Sequence, residues 1–506
     1  MFVRKKPNKS GVISVQIIEK SSGRYVVRET VGSSRDASEI AFLVKKGKRR
    51  ILALTGQSTL PFDREAELEF VDTFVNHLDS FSLIGPELLL GKIFDQIGFN
   101  AIREELFRHL VITRLVYPVS KLKTADYLFK YKGIEMSVYR IYRYLDRLHQ
   151  DQVDQVKAIS LRHTLGLFSK ALSVVFYDVT TLYFEAEQED DLRRTGFSKD
   201  GKHQQPQIVL GLLVSENGYP LDYDIFEGNK YEGDTLMPVI DHFTAKYQSD
   251  HLIVVADAGL LSKKNIALLK KKGCQYILGA RIRNEPASVG NQILQLGLQD
   301  KQSAEIGKGE ERLIISYKEQ RAHKDAYNRK RGLEKLEKRL RSGKLSKTHI
   351  NNKGYNKYLK MEGDVSISID YDKFREDAQW DGLKGYLTNT ERSKQDVIEQ
   401  YNQLWTIEKA FRISKSDLRI RPIYHRLRKR IEAHICICFA ACKVYKELER
   451  QLHEKKTGLS PEKAIDILKT IYTVSVQTPY SLTRHQRLII KNQQQRDLVN
   501  WFDLKI

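Results

Sequence analysis

The spacing of apolar positions changes several times along the chain, and each change predicts a different element. Residues 1–30 alternate polar and apolar around the turn "EKSSGRY", which predicts a β-hairpin. From about 63 to 168 the spacing becomes helical, with few Gly or Pro residues. Within that region "SKLKTADYLFKYKGIEMSVYRIYRYLDRL" (120–148) predicts two short helices hinged at Gly133. The second of them repeats a Tyr-Arg pair, at Tyr139 and Arg140 and again at Tyr142 and Arg143. Such a pair of helices is either a DNA-reading helix-turn-helix or an ordinary helical hairpin.

Residues 172–257 switch to strand runs. "LSVVFYDV", "PQIVLGLLV" and "PLDYDIFE" are three successive β segments separated by turn residues. A helix opening near Asp234, the strand "HLIVVADAG", the helix "SKKNIALLKKKG" and the strand "QYILGARI" follow. Three antiparallel strands and then helix, strand, helix, strand is the order of a ribonuclease-H-like α/β core. A strand- and helix-bearing insertion over about 285–390 interrupts this core before the chain returns to helix near residue 393. The predicted organisation is therefore a 1–62 β-hairpin region, a 63–168 helical DNA-binding domain, a 169–450 catalytic domain and a 451–506 helical region.

Composition narrows the partners. Lys and Arg number 85 against 64 Asp and Glu, a formal charge of +21, and an excess of that size points to a polyanion such as nucleic acid. Inside the insertion, residues 318–344 carry "KEQRAHKDAYNRKRGLEKLEKRLRSGK", a charged helix that is either a solvated arm or a track for DNA phosphates. The four cysteines make no disulfide framework, the start lacks the apolar core of a signal peptide, and no run of about 18 apolar residues predicts a membrane span. A reducing, cytoplasmic, nucleoid-associated setting is expected.

Two buried strands end on a bare carboxylate. "LSVVFYD" delivers Asp178, and "LIVVAD" delivers Asp257. A third acid stands in "DVIEQYNQLWTIEKAFRISKSDL", read as one helix: Tyr401, Glu408 and Lys415 are spaced by seven and seven and form a polar stripe, beside Ile407, Phe411 and Leu418 facing the core. Phosphoryl transfer between DNA strands needs an oxygen nucleophile active near neutral pH and a neutralised leaving oxygen. Two Mg²⁺ ions, with Mn²⁺ as substitute, supply both, and carboxylates are suitable ligands. Asp178, Asp257 and Glu408 are thus the expected catalytic and metal-binding residues.

These blocks resemble the DDE transposases of bacterial insertion sequences, in particular the insertion-sequence-four superfamily with its Y-R-E-K signature. "FYDVTTLYFE" with "PQIVLGLLV" is similar to the family's first-acid region, "VADAGLLS" to its second, and "WTIEKAFRISKSDL" with "RIRPIYHRLRKRIEAHI" to its third. The signature falls on Tyr401, Leu404, Glu408 and Lys415; the arginine is replaced by Leu404, and Arg412 is the nearest candidate to substitute for it. The resemblance covers about residues 80–450. It implies a ribonuclease-H-like fold with a β-rich insertion before the glutamate.

Further DNA contacts are expected from Arg421, Arg428 and Lys429 in the basic run after Lys415, from Lys202 and His203 at the opening of the second strand, and from Tyr139 and Arg143. Trp380 and Trp405 are read as packing residues. His434, Cys438 and Cys442 share a helical face, with Cys436 near, but their apolar surroundings favour a buried core over zinc. Asp222, Asp224 and Asp234 read as turn and cap residues. The expected activity is cleavage at the element's ends and transfer of the 3′ ends to target DNA, by a homodimer on paired double-stranded ends. A non-catalytic DNA-binding relative and a nuclease without strand transfer are the alternatives.

Overall fold

The computed structural model describes residues 1–21, 23–55, 64–168, 172–185, 188–198, 201, 204–247, 252–260, 262–343, 345, 349–351, 354–362, 366–478 and 483–505. The chain divides into two compact units, Met1–Phe81 with Val474–Arg487, and Ser82–Thr473 with Leu488–Ile506. These bounds differ from the predicted ones. No helix among the described residues is long and apolar enough to cross a membrane.

In the first unit the predicted hairpin exists and gains a third strand. β1 (Phe2–Pro7), β2 (Ile13–Ser21) and β3 (Arg24–Ser34) form an antiparallel sheet in that order, and the hairpin pairs Ser21 with Arg24. Val15 of β2 is buried under Ile40 and Leu43 of α1 (Ala37–Leu54), whose N-terminus is capped by the Asp36 carboxylate. The helix α2 (Arg64–Asn76) and the strand β4 (Leu78–Leu83) follow.

The second unit opens with α3 (Lys92–Ile97), α4 (Glu105–Val116), α5 (Lys121–Lys132), α6 (Val138–Asp151) and α7 (Val153–Leu167). The hinge at Gly133 is a left-handed C-cap (φ 67°): the Gly133 amide donates to Phe129 O and the Ile134 amide to Leu128 O, and glycine takes this conformation without a Cβ clash. Leu106, Leu110, Ile141 and Leu145 of these helices join one hydrophobic core with residues as distant as Leu498. The helical region is therefore built into the same core as the sheet, not set apart as the sequence pattern suggested.

The sheet begins with β5 (Val174–Tyr183), β6 (Gln207–Ser215) and β7 (Pro220–Glu227), continues through α8 (Leu236–Tyr247) to β8 (Ile253–Ala256), and through α9 (Lys263–Lys271) to β9 (Gln275–Ala280). β5 pairs antiparallel with β6 and parallel with β8; β6 pairs antiparallel with β7, and β8 parallel with β9. Both faces of these strands are buried, which is why they read as continuous apolar runs. Val175, Tyr177, Val254 and Ala256 pack under α8 and α9, while Val174, Phe176, Ile253 and Val255 face the larger core.

The insertion supplies α10 (Ala287–Gln295), β10 (Ser303–Lys308), β11 (Glu311–Tyr317), α11 (Glu319–Arg341), β12 (Leu359–Glu362), β13 (Ser366–Ile369), α12 (Tyr371–Glu376) and β14 (Leu383–Thr388). Three of its strands extend the same sheet, giving the order β10-β11-β14-β9-β8-β5-β6-β7. The chain then forms α13 (Lys394–Asn402), α14 (Trp405–Arg412), the central α15 (Arg428–Glu454), α16 (Pro461–Leu468), β15 (Tyr472–Gln477), β16 (Arg484–Ile489) and α17 (Gln493–Phe502). The end of the chain, predicted as helical, thus includes two strands; with β4 they make a sheet in the order β16-β15-β4.

A buried ion pair ties α7 to β7. Lys157 and Asp222 are 4% and 2% exposed, the ammonium lies 2.8 Å from Asp222 Oδ1, and it donates to Tyr223 O at 2.6 Å. Asp224 is 3.8 Å from the same ammonium. Asp222 and Asp224 are thus partners of a buried lysine, not turn residues. Breaking such a pair strands a charge in the interior, so Lys157→Ala should lower unfolding stability by about 3–5 kcal/mol in urea titrations. A double Lys157→Met, Asp222→Leu variant should recover most of that loss; equal losses in both variants would contradict this account.

Candidate active site and nucleic-acid interface

The site is built first by sheet register. Tyr177 of β5 lies opposite Ala256 of β8 in a parallel pair, so the next residue on each strand is an aspartate, Asp178 and Asp257. Residues opposed in this way share a face, on strands about 4.8 Å apart. Alternation from Phe176 and Val255 places both on the face of the larger core, under α14 and α15. Asp178 lies inside its strand, opposite Leu212 of β6, and is half-buried. Asp257 directly follows the last residue of β8 and is exposed, and its carbonyl accepts the Leu260 amide in the turn that follows.

Tyr401 reaches this pair from α13. Its ring is 4% exposed, and its hydroxyl donates to Asp257 Oδ1 at 2.7 Å. Burial and the neighbouring Asp257 carboxylate push the phenol well above its ordinary pKa, so it stays a hydrogen-bond donor. Gly279 of β9 makes room for it: a Cβ there would lie 2.4 Å from the Tyr401 hydroxyl and 2.9 Å from the Ala258 amide nitrogen.

Glu408 comes from α14, which packs on β5 and β6. It is exposed, while Ile407, Ala410 and Phe411 of the same helix are buried. The expected single helix carrying Tyr401, Glu408 and Lys415 as one stripe is not formed. Short-range bonds, Leu404 N to Tyr401 O at 3.1 Å and Thr406 N to Gln403 O at 2.8 Å, break it between α13 and α14. A turn of π-helix, Ile413–Asp417, follows and holds Lys415, half-buried, at a different angle. Leu404 packs against the core, an apolar role at the position where the signature has arginine. Arg412 is exposed at the end of α14.

Lys384, on the insertion strand β14, connects the acids. Its ammonium lies 4.3 Å from the centre of the Tyr401 ring. Burial lowers its pKa, with Arg321 and Lys318 acting the same way, while Asp257 and Glu408 act together to raise it. Lys384 therefore feels both carboxylates at once. Asp257, Gly279, Tyr401, Lys384 and Arg321 line a cavity of about 690 Å³ that reaches to Arg281 and Trp380. Trp380 also packs against the small core of the insertion, whereas Trp405 is 57% exposed. Sequence reasoning missed Lys384 and Arg321, because their place depends on long-range strand pairing. Burial first, and then the charges of Asp224, Asp178 and the half-buried Glu232, raise the Tyr177 phenol on the opposite face of β5.

Asp178, Asp257 and Glu408 offer hard oxygen donors of the kind Mg²⁺ takes. Among the described residues, no three carboxylate, imidazole or thiol groups are close enough together to hold a metal ion. The register brings the two aspartates to neighbouring strands on one face, and Glu408 does not close a set with them in this arrangement. His434 and Cys436, Cys438 and Cys442 are buried within α15, and His434 Nε2 lies 3.1 Å from Ile420 O.

The expected DNA contacts are scattered more widely. Tyr139 is 74% exposed and Arg143 is exposed one turn further along α6. Arg428 pairs with Glu432 at 2.9 Å and Asp191 at 3.7 Å, and Lys429 with Asp146 at 3.3 Å. Arg430 adds a bidentate pair to Asp146, at 2.8 and 3.0 Å, and these hydrogen bonds hold that carboxyl below its ordinary pKa. The start of α15 is thus bound to α6 by ion pairs, and the two surfaces expected to act separately are joined. Arg421 stacks over the Tyr183 ring at the end of β5. Lys202 and His203 lie outside the described residues.

Several solved structures match the chain. One is the cryo-EM structure of piggyBac transposase in a synaptic complex with hairpin DNA, at 11% identity and a TM-score of 0.39, covering 72% of this chain and 69% of that one. No curated protein matches. Residues 169–442, more than half of the chain and the span that carries all three acids, match the model of the transposase DDE domain, and the chain belongs to that family.

Proposed function

We propose that this chain is the transposase of an insertion sequence of the insertion-sequence-four, Y-R-E-K group. It cuts DNA at the ends of its element and transfers the 3′ ends to target DNA from a ribonuclease-H-like core. The observation that carries this reading is the parallel register that sets Asp178 beside Asp257 on the face covered by the helix of Glu408. These three carboxylates would hold the divalent ions, Mg²⁺ or Mn²⁺, with Glu408 moving toward the aspartates when DNA is engaged. Bound there, such ions supply a nucleophilic oxygen near neutral pH and neutralise the leaving oxygen.

The other residues bind and orient. Tyr401 holds one oxygen of Asp257 by its hydroxyl and leaves the other available. Lys384 and Arg321 at the rim of the cavity meet a strand phosphate; a phosphate placed there would offset the burial that lowers the Lys384 pKa. Lys415, Arg412, Arg421, Arg428 and Lys429 contribute contacts to the backbone around the cut, as do Lys202 and His203. The exposed face of α6, with Tyr139 and Arg143, reads the element's ends, and two copies of the chain act on paired ends. The nucleoid is where such a protein works.

Two measurements check this reading. Asp178→Ala, Asp257→Ala and Glu408→Ala should each abolish cleavage and joining of an end-bearing duplex, in Mg²⁺ or Mn²⁺, with duplex affinity changed by less than about threefold, since metal ligands make no base contacts. Wild-type cutting by any one of them removes that residue from the site, and wild-type cutting in a chelator removes the metal. For the Tyr401–Asp257 contact, a double-mutant cycle of Tyr401→Phe and Asp257→Ala in urea unfolding should give a coupling of about 1.5 kcal/mol, the low end for a charged hydrogen bond because Asp257 is exposed. Strict additivity would show that the contact does not hold the carboxylate.

A further inference from the structure

A second cavity, of about 420 Å³, lies away from the acids and is lined by Arg114, Lys121, Arg419, Arg421, His425 and His434 among others. Among the described residues that line it, none is acidic. Yet Lys121 is only 5% exposed and Arg114 only 6%. Elsewhere in this chain the buried Lys157 is compensated by a carboxylate, Asp222 at 2.8 Å, while Lys443, whose pKa burial also lowers to about 7, donates to the Thr164 hydroxyl and lies 4.3 Å from the Tyr219 ring centre. Among the described residues, no carboxylate pairs with Lys121. Burial and the charge of Arg114 lower its pKa to about 7. Burial first, then Lys121 and Arg114, pull the His425 imidazole to about 3 and hold His434 well below its ordinary value. As a packing residue Lys121 is a poor choice, because a methionine of similar shape would fill the space without a buried charge. The cluster makes sense if an anion enters it.

Two further features point to the same ligand. The cavity opens at the start of the twelve-residue α5, whose N-cap Ser120 and first residue Lys121 line it, so the positive end of the helix dipole adds to the cations. Arg419 holds a left-handed backbone conformation (φ 45°) that an L-residue with a Cβ resists, a strain found where a side chain must be aimed. The cavity also has a defined relation to the acids. Arg421 stacks 5.7 Å from the Tyr183 ring centre, five residues beyond Asp178 on β5, roughly 16 Å along the strand. That is about five base pairs of duplex.

We propose that this cavity is a phosphate-binding site, which takes a phosphate of the DNA strand engaged at the acids, either a strand's terminal phosphate or an internal one. That the phosphate belongs to DNA rests on the transposase reading; that the cavity binds phosphate does not.

The experiment is a titration of the full chain with inorganic phosphate at constant ionic strength against chloride, read by thermal unfolding. The variants are Lys121→Met and Arg419→Gly, with Lys48→Met, on the exposed side of α1, as the control for the chain's general positive charge. Phosphate should raise the wild-type Tm, and the apparent Kd should weaken about tenfold or more in Lys121→Met and Arg419→Gly but not in Lys48→Met. Neither test variant is expected to unfold: one removes a buried charge, and the other puts glycine at a positive φ. Wild-type phosphate affinity in Lys121→Met would overturn the site. Duplexes with 5′-phosphate and 5′-hydroxyl ends separate the sources. A preference for the phosphorylated end that vanishes in Lys121→Met assigns a terminal phosphate, and equal weakening for both assigns an internal one. Unchanged duplex affinity overturns the DNA role. A wild-type chain that binds phosphate but never cuts DNA would sink the transposase reading and leave the site standing.

Discussion

The parallel pairing of β5 with β8 is the constraint on which the candidate site depends. Tyr177 opposite Ala256 is the last pair of the ladder; Asp178 and Asp257 come next along each segment, and strand alternation carried one residue on gives both carboxylates the same face. A slip of one residue in either strand would send one of them to the opposite core, among Val175, Val254 and the helices α8 and α9. The apolar residues before each aspartate are buried on both faces and leave little freedom for such a slip. The same residues that make the core therefore set the separation of two charges that would otherwise repel.

Around that pair the helices and the insertion strands act by charge and hydrogen bonding. Tyr401 fixes one oxygen of Asp257 from a buried position, and Gly279 leaves it the space. Lys384 arrives from β14 only because the insertion returns to the sheet and pairs antiparallel with β9. Its ammonium then lies against the Tyr401 ring, where the charges of Asp257 and Glu408 oppose the burial that lowers its pKa. The insertion is thus part of the site's electrostatics, and removing it would take away a cation as well as a wall of the cavity. In the α5 cavity, by contrast, the buried Lys121 and Arg114 have no acidic counterpart among the described lining residues. That contrast separates a site which balances its own charge from one which needs a ligand to do so.

The strand-rich part of the catalytic region was legible in the sequence because strands buried on both faces leave unbroken apolar runs, and Asp178 and Asp257 stood out as charges ending such runs. The Gly133 hinge was legible for a similarly local reason, since a left-handed C-cap calls for glycine. The break between α13 and α14 was not. No Gly or Pro marks residues 403 and 404, and the heptad-like spacing of Tyr401, Glu408 and Lys415 suggested continuity where packing of Leu404 into the core imposes two helices and a π turn. Nor could local patterns show that helices 105–167 share a core with α15, or that Arg428 and Lys429 are bound to acids, two of which lie on other segments. Those facts depend on partners hundreds of residues away.

The central claim is that Asp178 and Asp257 form one ligand pair, completed by Glu408. The most direct test is Mn²⁺ binding to the full chain, followed by electron paramagnetic resonance with and without an end-bearing duplex. The account predicts binding that is lost in Asp178→Ala and in Asp257→Ala alike, and a signal that changes on adding duplex in the wild type but not in Glu408→Ala. Mn²⁺ bound equally well by both aspartate variants would contradict it.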